Sequence, residues 1–285
     1  MALFIQQLWQ YPLKSAQGVE RTQAPLDAFG LAGDRRWVLI DDAGQFVSQR
    51  QCAAMGALQA EYHSHGLSVS WYEQSLRAVP QPTRPQTVSI WGDTVIGQGV
   101  LPAVDQQISA WLGQSVRLVY CPDTAQRVVD PRYAGDGHLT AFSDGFPILV
   151  ISQASLDALS LAWGSPVDAR RFRPNVVIGG DCAPFAEDQW RQIRMGNVVL
   201  DLVKPCTRCV IPSLDPNTQQ PTDGFSRFLA NQRRLADGKV YLGQNAILRG
   251  VLAQHGGLVQ TDWQNQDEQG QAPFLSKGQP LTVLA

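Results

Sequence analysis

Short apolar or alternating segments, each soon ended by glycine, proline or aspartate, fill the first part of the chain. This pattern is typical of β-strands joined by tight turns. The clearest segments are LFIQQLW, RWVLIDDAGQFVSQR, LSVSW and TVSIWG. Inside the second of them, the run from Asp41 to Gly44 (DDAG) predicts a hairpin turn. The first part of the chain is therefore predicted to be β-rich.

Helical periodicity is scarce, and the second part of the chain mixes strands with a few helices. In the first part, residues 104 to 113 predict a helix because apolar residues recur at helical spacing. In the second part, PILVIS predicts a buried strand, and SQASLDALSLAW predicts a helix that Ser152 caps. The remaining predictions are strands at PNVVIGG and NVVLDLVK, a loop that carries the cysteines, a helix through FSRFLANQRRL, and short strands near AILRGVL and PLTVL. Strands and helices do not alternate regularly, so we predict a β-rich, barrel-like α+β fold.

Composition narrows the class of protein. The chain has 285 residues, of which 44% are hydrophobic and 17% are charged, as in an ordinary globular protein. No apolar run approaches the roughly 20 residues that a membrane span requires. The start of the chain lacks the basic region of a signal peptide, which predicts a cytoplasmic protein. A net charge of −2 argues against nucleic acid as the main partner.

Cys206 and Cys209 lie in the stretch PCTRCVIP, with Arg208 between them. Structural zinc normally needs four ligands, often as two such pairs, and no second pair is present. A thioredoxin-type pair would open a helix, whereas prolines flank this one. An inert buried pair is a third possibility. We favour a fourth, in which one thiolate acts as a ligand or nucleophile beside Arg208, whose positive charge favours the thiolate.

Several polar motifs are weak when each is taken alone. Lys14 and Ser15 follow a tyrosine and a proline in YPLKS, but most lysines are simply solvated. Arg35 and Arg36 enter a strand in GDRRW, so one could face a ligand while the other faces solvent, or both could form an exposed strand end. The motifs FRPN and AFSDG could bind an anion or only close turns.

The order of these motifs is more informative than any one of them. The succession YPLKS, GDRRW, AFSDGFPILVIS, FRPNVVIGG, PCTRCVIPSLDPNT and KGQPLTVL resembles the MOSC-domain proteins that carry an N-terminal MOSC β-barrel, a family that includes the amidoxime-reducing components. The resemblance covers residues 3 to 284. It implies an N-terminal MOSC β-barrel-type domain (residues 1–118) packed on a MOSC β-barrel domain (residues 119–285) with peripheral helices.

The resemblance implies a molybdenum cofactor, Mo-molybdopterin, which is a pterin dithiolene with a phosphate tail. By motif, Cys209 is the metal ligand and catalytic residue, and Cys206 is only its neighbour. The other residues that match cofactor-binding positions are Lys14, Ser15, Arg35, Ser143, Asp144, Arg173, Asn175, Thr207 and Arg208. Gly145 and Phe146 depart from the small hydroxyl residues of the family, so backbone amides would replace those hydroxyls.

The implied activity is the reduction of N-hydroxylated compounds (amidoximes, hydroxylamines and N-hydroxylated base analogues) to the N–H form. Electrons would come from a separate partner of the flavin reductase, ferredoxin or cytochrome type, because the chain carries no fused ferredoxin-like domain. No pyridoxal phosphate is expected. One alternative is a cofactor-binding carrier or sulfur-transfer module without reductase turnover. A thiol-redox or zinc protein is the other.

Overall fold

The computed structural model describes residues 2–64, 66–252, 258–259 and 272–285. Strands dominate the described chain, as the alternating segments predict. They are Phe4–Gln10 (β1), Val19–Glu20 (β2), Gln23–Asp27 (β3), Gly30–Leu31 (β4), Trp37–Ile40 (β5), Gln59–His63 (β6), Gly66–Trp71 (β7), Gln74–Ala78 (β8), Pro85–Ile90 (β9), Asp93–Gly99 (β10), Arg117–Tyr120 (β11), Ile148–Ser152 (β12), Val176–Gly179 (β13), Gln192–Met195 (β14), Val198–Thr207 (β15), Tyr241–Leu252 (β16), Leu258–Val259 (β17), Phe274–Ser276 (β18) and Leu281–Val283 (β19).

Helices are few and short in the described residues. They are Pro102–Leu112 (α1), Pro131–Ala134 (α2), Gln153–Trp163 (α3) and Phe225–Arg233 (α4). None of the helices in the described ranges is long and apolar enough to cross a membrane. The predicted β-rich α+β fold is confirmed.

The largest sheet has the strand order β19-β14-β15-β16-β12-β13-β1-β2, with β17 attached to β16. Strands β12 and β13 run parallel, and α3 lies between them in the chain. The N-terminal strand β1 pairs with β13. This pairing places the turn that follows β1 beside the start of β13, and both segments line the candidate site.

Alternation along β12 divides the core of the large sheet into two layers. Ile148 and Val150 point into a cluster formed by the sheet and strands β3, β4 and β18. Leu149 and Ile151 point to the opposite face, where they meet residues of α3 and α4. Both faces of this strand are buried, as the continuous apolar run PILVIS predicts.

The first part of the chain forms smaller antiparallel sheets. One has the order β5-β11-β10-β9 and another has the order β6-β7-β8. The buried Trp37, Leu39 and Leu118 join the two sheets with α1 in one core. Val38, Ile40 and Phe142 belong to a second core on the other side of β5. Phe142 comes from the second part of the chain, so this core ties the two parts together.

Most predicted elements are confirmed, and three need correction. The DDAG turn closes, with the Gly44 N–H bonded to the Asp41 carbonyl, but its second arm forms only isolated bridges. The expected short strand near AILRGVL is part of the twelve-residue β16. The expected cysteine loop was wrong for Cys206, because β15 continues to Thr207. Cys206 lies where the register with β16 shifts, between Pro205 and Thr207, and such bulges redirect side chains.

The division near residue 118 stays a prediction. β11 (117–120) pairs with β5 of the first part, whereas β1 belongs to the large sheet of the second part. Strand β18 returns from the C-terminal end to pair with β3. The two parts of the chain are therefore interleaved through strand pairing.

Candidate functional site

All the residues that the motifs predicted for the site line one cavity. Its volume is about 130 Å³. The predicted residues among its walls are Lys14, Ser15, Arg35, Ser143, Asp144, Arg173, Asn175, Thr207, Arg208 and Cys209. They come from the turn after β1, the approach to β5, the loop before β12, the approach to β13 and the end of β15. The sequence motifs therefore converge in space.

Lys14 and Ser15 lie in a tight turn after β1. The Lys14 N–H donates to the Trp37 carbonyl, and the Ala16 N–H closes the turn on the Leu13 carbonyl. Ser15 has a φ of 68°, a left-handed conformation that is unusual for a residue with a side chain. Strained backbone of this kind clusters at binding sites. The YPLKS motif thus forms a fixed turn rather than a frayed strand end.

The Lys14 ammonium forms an ion pair with Asp144, with 2.5 Å between Nζ and Oδ1. The Lys14 side chain is 8% exposed, whereas the Asp144 side chain is 70% exposed. Burial lowers the pKa of Lys14 to about 8, and the Asp144 carboxylate only partly opposes that shift. For Asp144, enclosure by the protein opposes ionisation, yet Lys14 and the Trp91 indole N–H hold its pKa well below the usual range. Asp144 is therefore an anion at neutral pH.

Arg35 faces the cavity from a left-handed position, with a φ of 47°. Its N–H donates to the Tyr11 carbonyl, and its carbonyl accepts from the Phe142 N–H. Its guanidinium donates to the buried Asp34 carboxylate at 2.5 Å and stacks on the Tyr11 ring at 4.5 Å. Burial opposes the charge, but Asp34 outweighs it and raises the pKa of Arg35. Arg35 is a fixed, permanently charged group in the wall.

Arg173 is a cation that no carboxylate of the described residues neutralises. Its Nη1 donates to the Ala16 carbonyl at 2.6 Å, and its guanidinium lies 4.3 Å from the centre of the Tyr11 ring. Burial and the neighbouring Arg35 charge lower the pKa of Arg173 to about 10. Arg173 is half-buried, and a partly desolvated guanidinium without an ion-pair partner costs stability unless an anion joins it. Arg173 therefore makes this wall of the cavity suited to binding an anion.

Asn175 lies behind the cavity wall, and its side-chain amide forms hydrogen bonds with other groups of the protein. Its Oδ1 accepts from Arg35 Nη1 and from the Leu149 N–H, each at 3.1 Å. Its Nδ2 donates to the Trp9 carbonyl at 3.2 Å, and the residue is 1% exposed. Asn175 therefore holds Arg35 and joins β1 to β12, whatever else it contacts.

The two cysteines at the end of β15 occupy different environments. Arg208 Nη1 donates to the Cys206 sulfur at 3.0 Å, and its Nη2 donates to the Phe172 carbonyl at 2.7 Å. Arg208 Nε is buried and has no hydrogen-bond partner. Cys209 is exposed at the cavity, and both thiols are free. Cys206 is thus an acceptor for Arg208, a role that the sequence did not assign.

Thr207 is exposed between the two cysteines. Ser143 is buried, and its hydroxyl lies 2.5 Å from the Thr140 hydroxyl. Its carbonyl accepts from Arg127, which also bonds the Ala141 carbonyl. Arg127 therefore shapes the loop that presents Asp144.

Arg36 corrects the expectation that one of the two arginines faces solvent or that both form an exposed strand end. It is 1% exposed. Its guanidinium donates to the Cys121 carbonyl and to the carboxylates of Asp27 and Asp123. It also stacks on the Phe29 ring at 4.3 Å. These partners satisfy the charge in the interior, so Arg36 is a structural residue of the first part of the chain.

Other residues that line the cavity are not among those predicted to bind the cofactor through their side chains. The segment after the DDAG turn supplies Phe46, Ser48, Gln49 and Arg50, and the second part supplies Phe146, Leu149, Phe172, Cys206, Ile211 and Asn245. The Gly145 side of the loop is open, since a Cβ there would meet nothing within 4 Å. Phe46 and its neighbours are brought to the cavity by tertiary structure, including the isolated bridges that pair Phe46 with Ile40 and Gln45 with Ser89. Among the described residues, no group of three His, Cys, Asp or Glu side chains could hold a metal ion by itself.

Comparison with protein families agrees with the motif order. The profile of the MOSC N-terminal beta barrel domain matches residues 2–115, and the profile of the MOSC domain matches residues 138–262. Mitochondrial amidoxime-reducing component 1 of Xenopus laevis is 30% identical over 280 residues, which are 90% of this chain and 78% of that protein. The chain belongs to the MOSC family. Its cavity lies where residues of both matched segments meet.

Two further relatives bear on function. Mitochondrial amidoxime-reducing component 1 of Mus musculus is 32% identical over 75% of this chain, and the match spans 66% of that protein. Molybdenum cofactor sulfurase of Oryza sativa subsp. japonica is 26% identical over 82% of this chain but only 31% of that protein. The names of these relatives associate the family with molybdenum-cofactor chemistry and with oxidoreductase activity.

Proposed function

We propose that the protein binds a molybdenum cofactor in this cavity and reduces N-hydroxylated compounds. One observation supports this most strongly: a cationic pocket with a half-buried guanidinium that pairs with no carboxylate of the described residues also presents a free thiol. Five cationic side chains line the cavity (Lys14, Arg35, Arg50, Arg173 and Arg208) against the single lining carboxylate of Asp144. Such a donor set suits a ligand that combines a phosphate with a thiophilic metal.

The residues present fit the parts of a pterin dithiolene cofactor. Lys14, Arg35 and Arg173 are the groups that would hold its phosphate tail, because forked guanidinium groups and an ammonium bind phosphate oxygens well. Arg208 would use the Nε–H that lacks a partner in the protein. Cys209 would be the thiolate ligand, since it is the exposed thiol of the pair. Soft thiolate suits a metal that already has sulfur ligands.

When bound, the cofactor supplies the two-electron chemistry that breaks the N–O bond. The overall reaction converts R–NHOH, two electrons and two protons into R–NH2 and water. The protein positions the cofactor through Arg35 and Arg208, and the walls restrict how the substrate enters. We assign the electron supply to a separate redox protein.

Reductase turnover is the test of this proposal. Protein purified from a host that makes the cofactor should contain about one molybdenum per chain, because the proposal places one thiolate ligand, Cys209, at the cavity. With a chemical reductant such as reduced methyl viologen, it should convert benzamidoxime to benzamidine, measured by chromatography. Protein from a cofactor-deficient host is the control. Cofactor-loaded protein that forms no amine from any N-hydroxylated substrate would contradict the proposal.

The likeness to the rice sulfurase favours one second candidate, a cofactor carrier or sulfur-transfer module. In that case the protein would retain molybdenum but show no turnover, and it would release its cofactor to an acceptor apoenzyme. The exposed Cys209 is compatible with either activity. Turnover and transfer assays on one loaded preparation separate the two candidates.

A further inference from the structure

The hairpin between β9 and β10 has an unusual residue at its tip. Trp91 and Gly92 form its two-residue turn, with φ values of 52° and 92°. Turns with positive φ at both central residues strongly prefer Asn-Gly or Asp-Gly. A bulky aromatic residue in this conformation is a true outlier, and it costs free energy. Nothing in the turn itself requires an indole there.

The indole is held at the rim of the cavity by three contacts. Its Nε1 donates to Asp144 Oδ1 at 3.1 Å. Its ring centre lies 5.0 Å from that of Phe46, and the Arg50 guanidinium lies 4.8 Å from its centre. Phe46, Arg50 and Asp144 all line the cavity. Despite these contacts, Trp91 remains 49% exposed, so part of its surface is available to a ligand.

A second link fixes the hairpin to the loop of the site. Asp93, two residues after Trp91, accepts from Arg127 Nε at 2.8 Å. The Nη1 of Arg127 donates to the carbonyls of Ala141 and Ser143 at 2.8 and 2.6 Å. The hairpin tip and the 141–144 loop are therefore joined at two points, which fixes the tip at the rim of the cavity.

The second part of the chain also supplies an aromatic residue, Phe146, to the cavity. Phe146 lies in edge contact with Tyr133, with 6.3 Å between ring centres. The Lys204 ammonium lies 4.1 Å from the centre of the Tyr133 ring. The cavity is thus lined by Phe46 and Phe146 from the two parts of the chain, and the ammonium groups of Lys14 and Lys204 lie 5.3 and 5.6 Å from the respective ring centres. Aromatic rings favour planar π-systems over alkyl groups, and nearby lysine and arginine charges repel cationic ligands.

We propose that Trp91 is a specificity-determining residue whose indole, with Phe46, forms an aromatic platform that selects planar conjugated N-hydroxylated substrates over alkyl ones. This inference rests on the proposed function. The strain at Trp91 is then the cost of carrying an indole where asparagine would fit the turn. Asp144 then has two roles: it pairs with the Lys14 ammonium, and it orients the Trp91 indole.

The test compares benzamidoxime with acetamidoxime on cofactor-loaded protein. Trp91→Asn supplies the residue that the turn prefers, so the hairpin should survive. We expect kcat/KM for benzamidoxime to fall by about tenfold relative to acetamidoxime, the size of one lost aromatic contact. Trp91→Phe keeps a ring and should retain most of the preference. The matched control is Tyr72→Asn, another exposed aromatic residue at a hairpin tip with a positive φ, whose ring packs on Trp71 rather than on residues that line the cavity.

Binding without reductant provides an independent readout. Equilibrium dialysis should show weaker benzamidoxime binding to Trp91→Asn than to wild type, and unchanged binding to Tyr72→Asn. An equal loss for both substrates, or unchanged selectivity in Trp91→Asn that thermal unfolding shows to be folded, would overturn the inference while the reductase activity stands. If no variant or wild type turns over, the proposed function fails, and the dialysis result still decides whether Trp91 binds planar compounds.

Discussion

The Lys14 ammonium lies 2.5 Å from the Asp144 carboxylate, although the two residues are 130 positions apart in the chain. One residue follows the first strand and the other precedes β12. Their ion pair closes one wall of the cavity and keeps Asp144 ionised. The pair also makes the site sensitive to pH, because Lys14 is buried.

Anion binding should weaken as pH rises through about 8. Burial lowers the pKa of Lys14 to about 8, so the folded protein loses this positive charge above that value. Sulfate remains a dianion throughout the range and serves as the probe. We expect its affinity for cofactor-free protein, measured by titration calorimetry, to fall between pH 7 and 9. Lys14→Arg should flatten this dependence, since arginine stays charged. An unchanged slope in that variant would assign the titration to another group.

Asp144→Asn should destabilise the folded protein. It leaves the buried ammonium of Lys14 without its counter-ion, and loss of a partner from a buried donor costs about 1 to 3 kcal/mol. The free energy of unfolding in urea measures the loss. The same change removes the group that holds the pKa of Lys14 up, so the pH midpoint for sulfate binding should move below that of wild type. A midpoint that rises would contradict the assigned pairing.

Arg173→Met should stabilise the cofactor-free protein while it weakens anion binding. Arg173 is a half-buried cation without a carboxylate partner in the described chain, and replacing a partly desolvated charge with an apolar side chain of similar length is often neutral or favourable. We expect the free energy of unfolding to rise by about 1 kcal/mol. Sulfate affinity should fall at least tenfold, by about 1.4 kcal/mol. A large loss of stability would show that Arg173 acts mainly in packing.

Asn175→Ala should reduce the stability of the folded protein. It leaves the Leu149 N–H and the Trp9 carbonyl without their side-chain partner inside the protein. We expect a loss of about 2 to 3 kcal/mol in the free energy of unfolding. Thr207→Ala is the control, because Thr207 is exposed and the change should cost less than about 0.5 kcal/mol. Equal effects in the two variants would argue that Asn175 is a ligand rather than a support.

The sequence predicted elements well where a local signal is strong. The helix after Ser152 and the strand before it follow from a cap and an apolar run, and both form as expected. The paths of β15 and β16 could not be predicted, because the two strands stabilise each other through pairing of residues far apart in the chain. Cys206 was therefore placed in a loop although it lies on a strand.

The predicted site residues meet in one cavity, but their neighbours could not be foreseen. Arg35 and Arg36 look equivalent in the sequence, yet only Arg35 lines the cavity while Arg36 is buried among carboxylates. The two side chains point to different places because Arg35 has a positive φ, and its residue type does not predict that conformation. Trp91 and Arg50 reach the rim through tertiary contacts alone. The order of the motifs predicted the candidate site, whereas tertiary structure determines which other side chains line it.

The molybdenum content of two cysteine variants tests the central claim most directly. Wild type, Cys209→Ser and Cys206→Ser would be purified from the same cofactor-competent host and analysed for metal and for benzamidoxime turnover. Because Cys209 is the exposed thiol at the cavity and Cys206 accepts a hydrogen bond from Arg208, we expect Cys209→Ser to abolish activity. Cys206→Ser should retain most of its molybdenum and much of its activity. Complete and equal loss of metal in both variants would contradict the assignment of Cys209 as the single protein ligand.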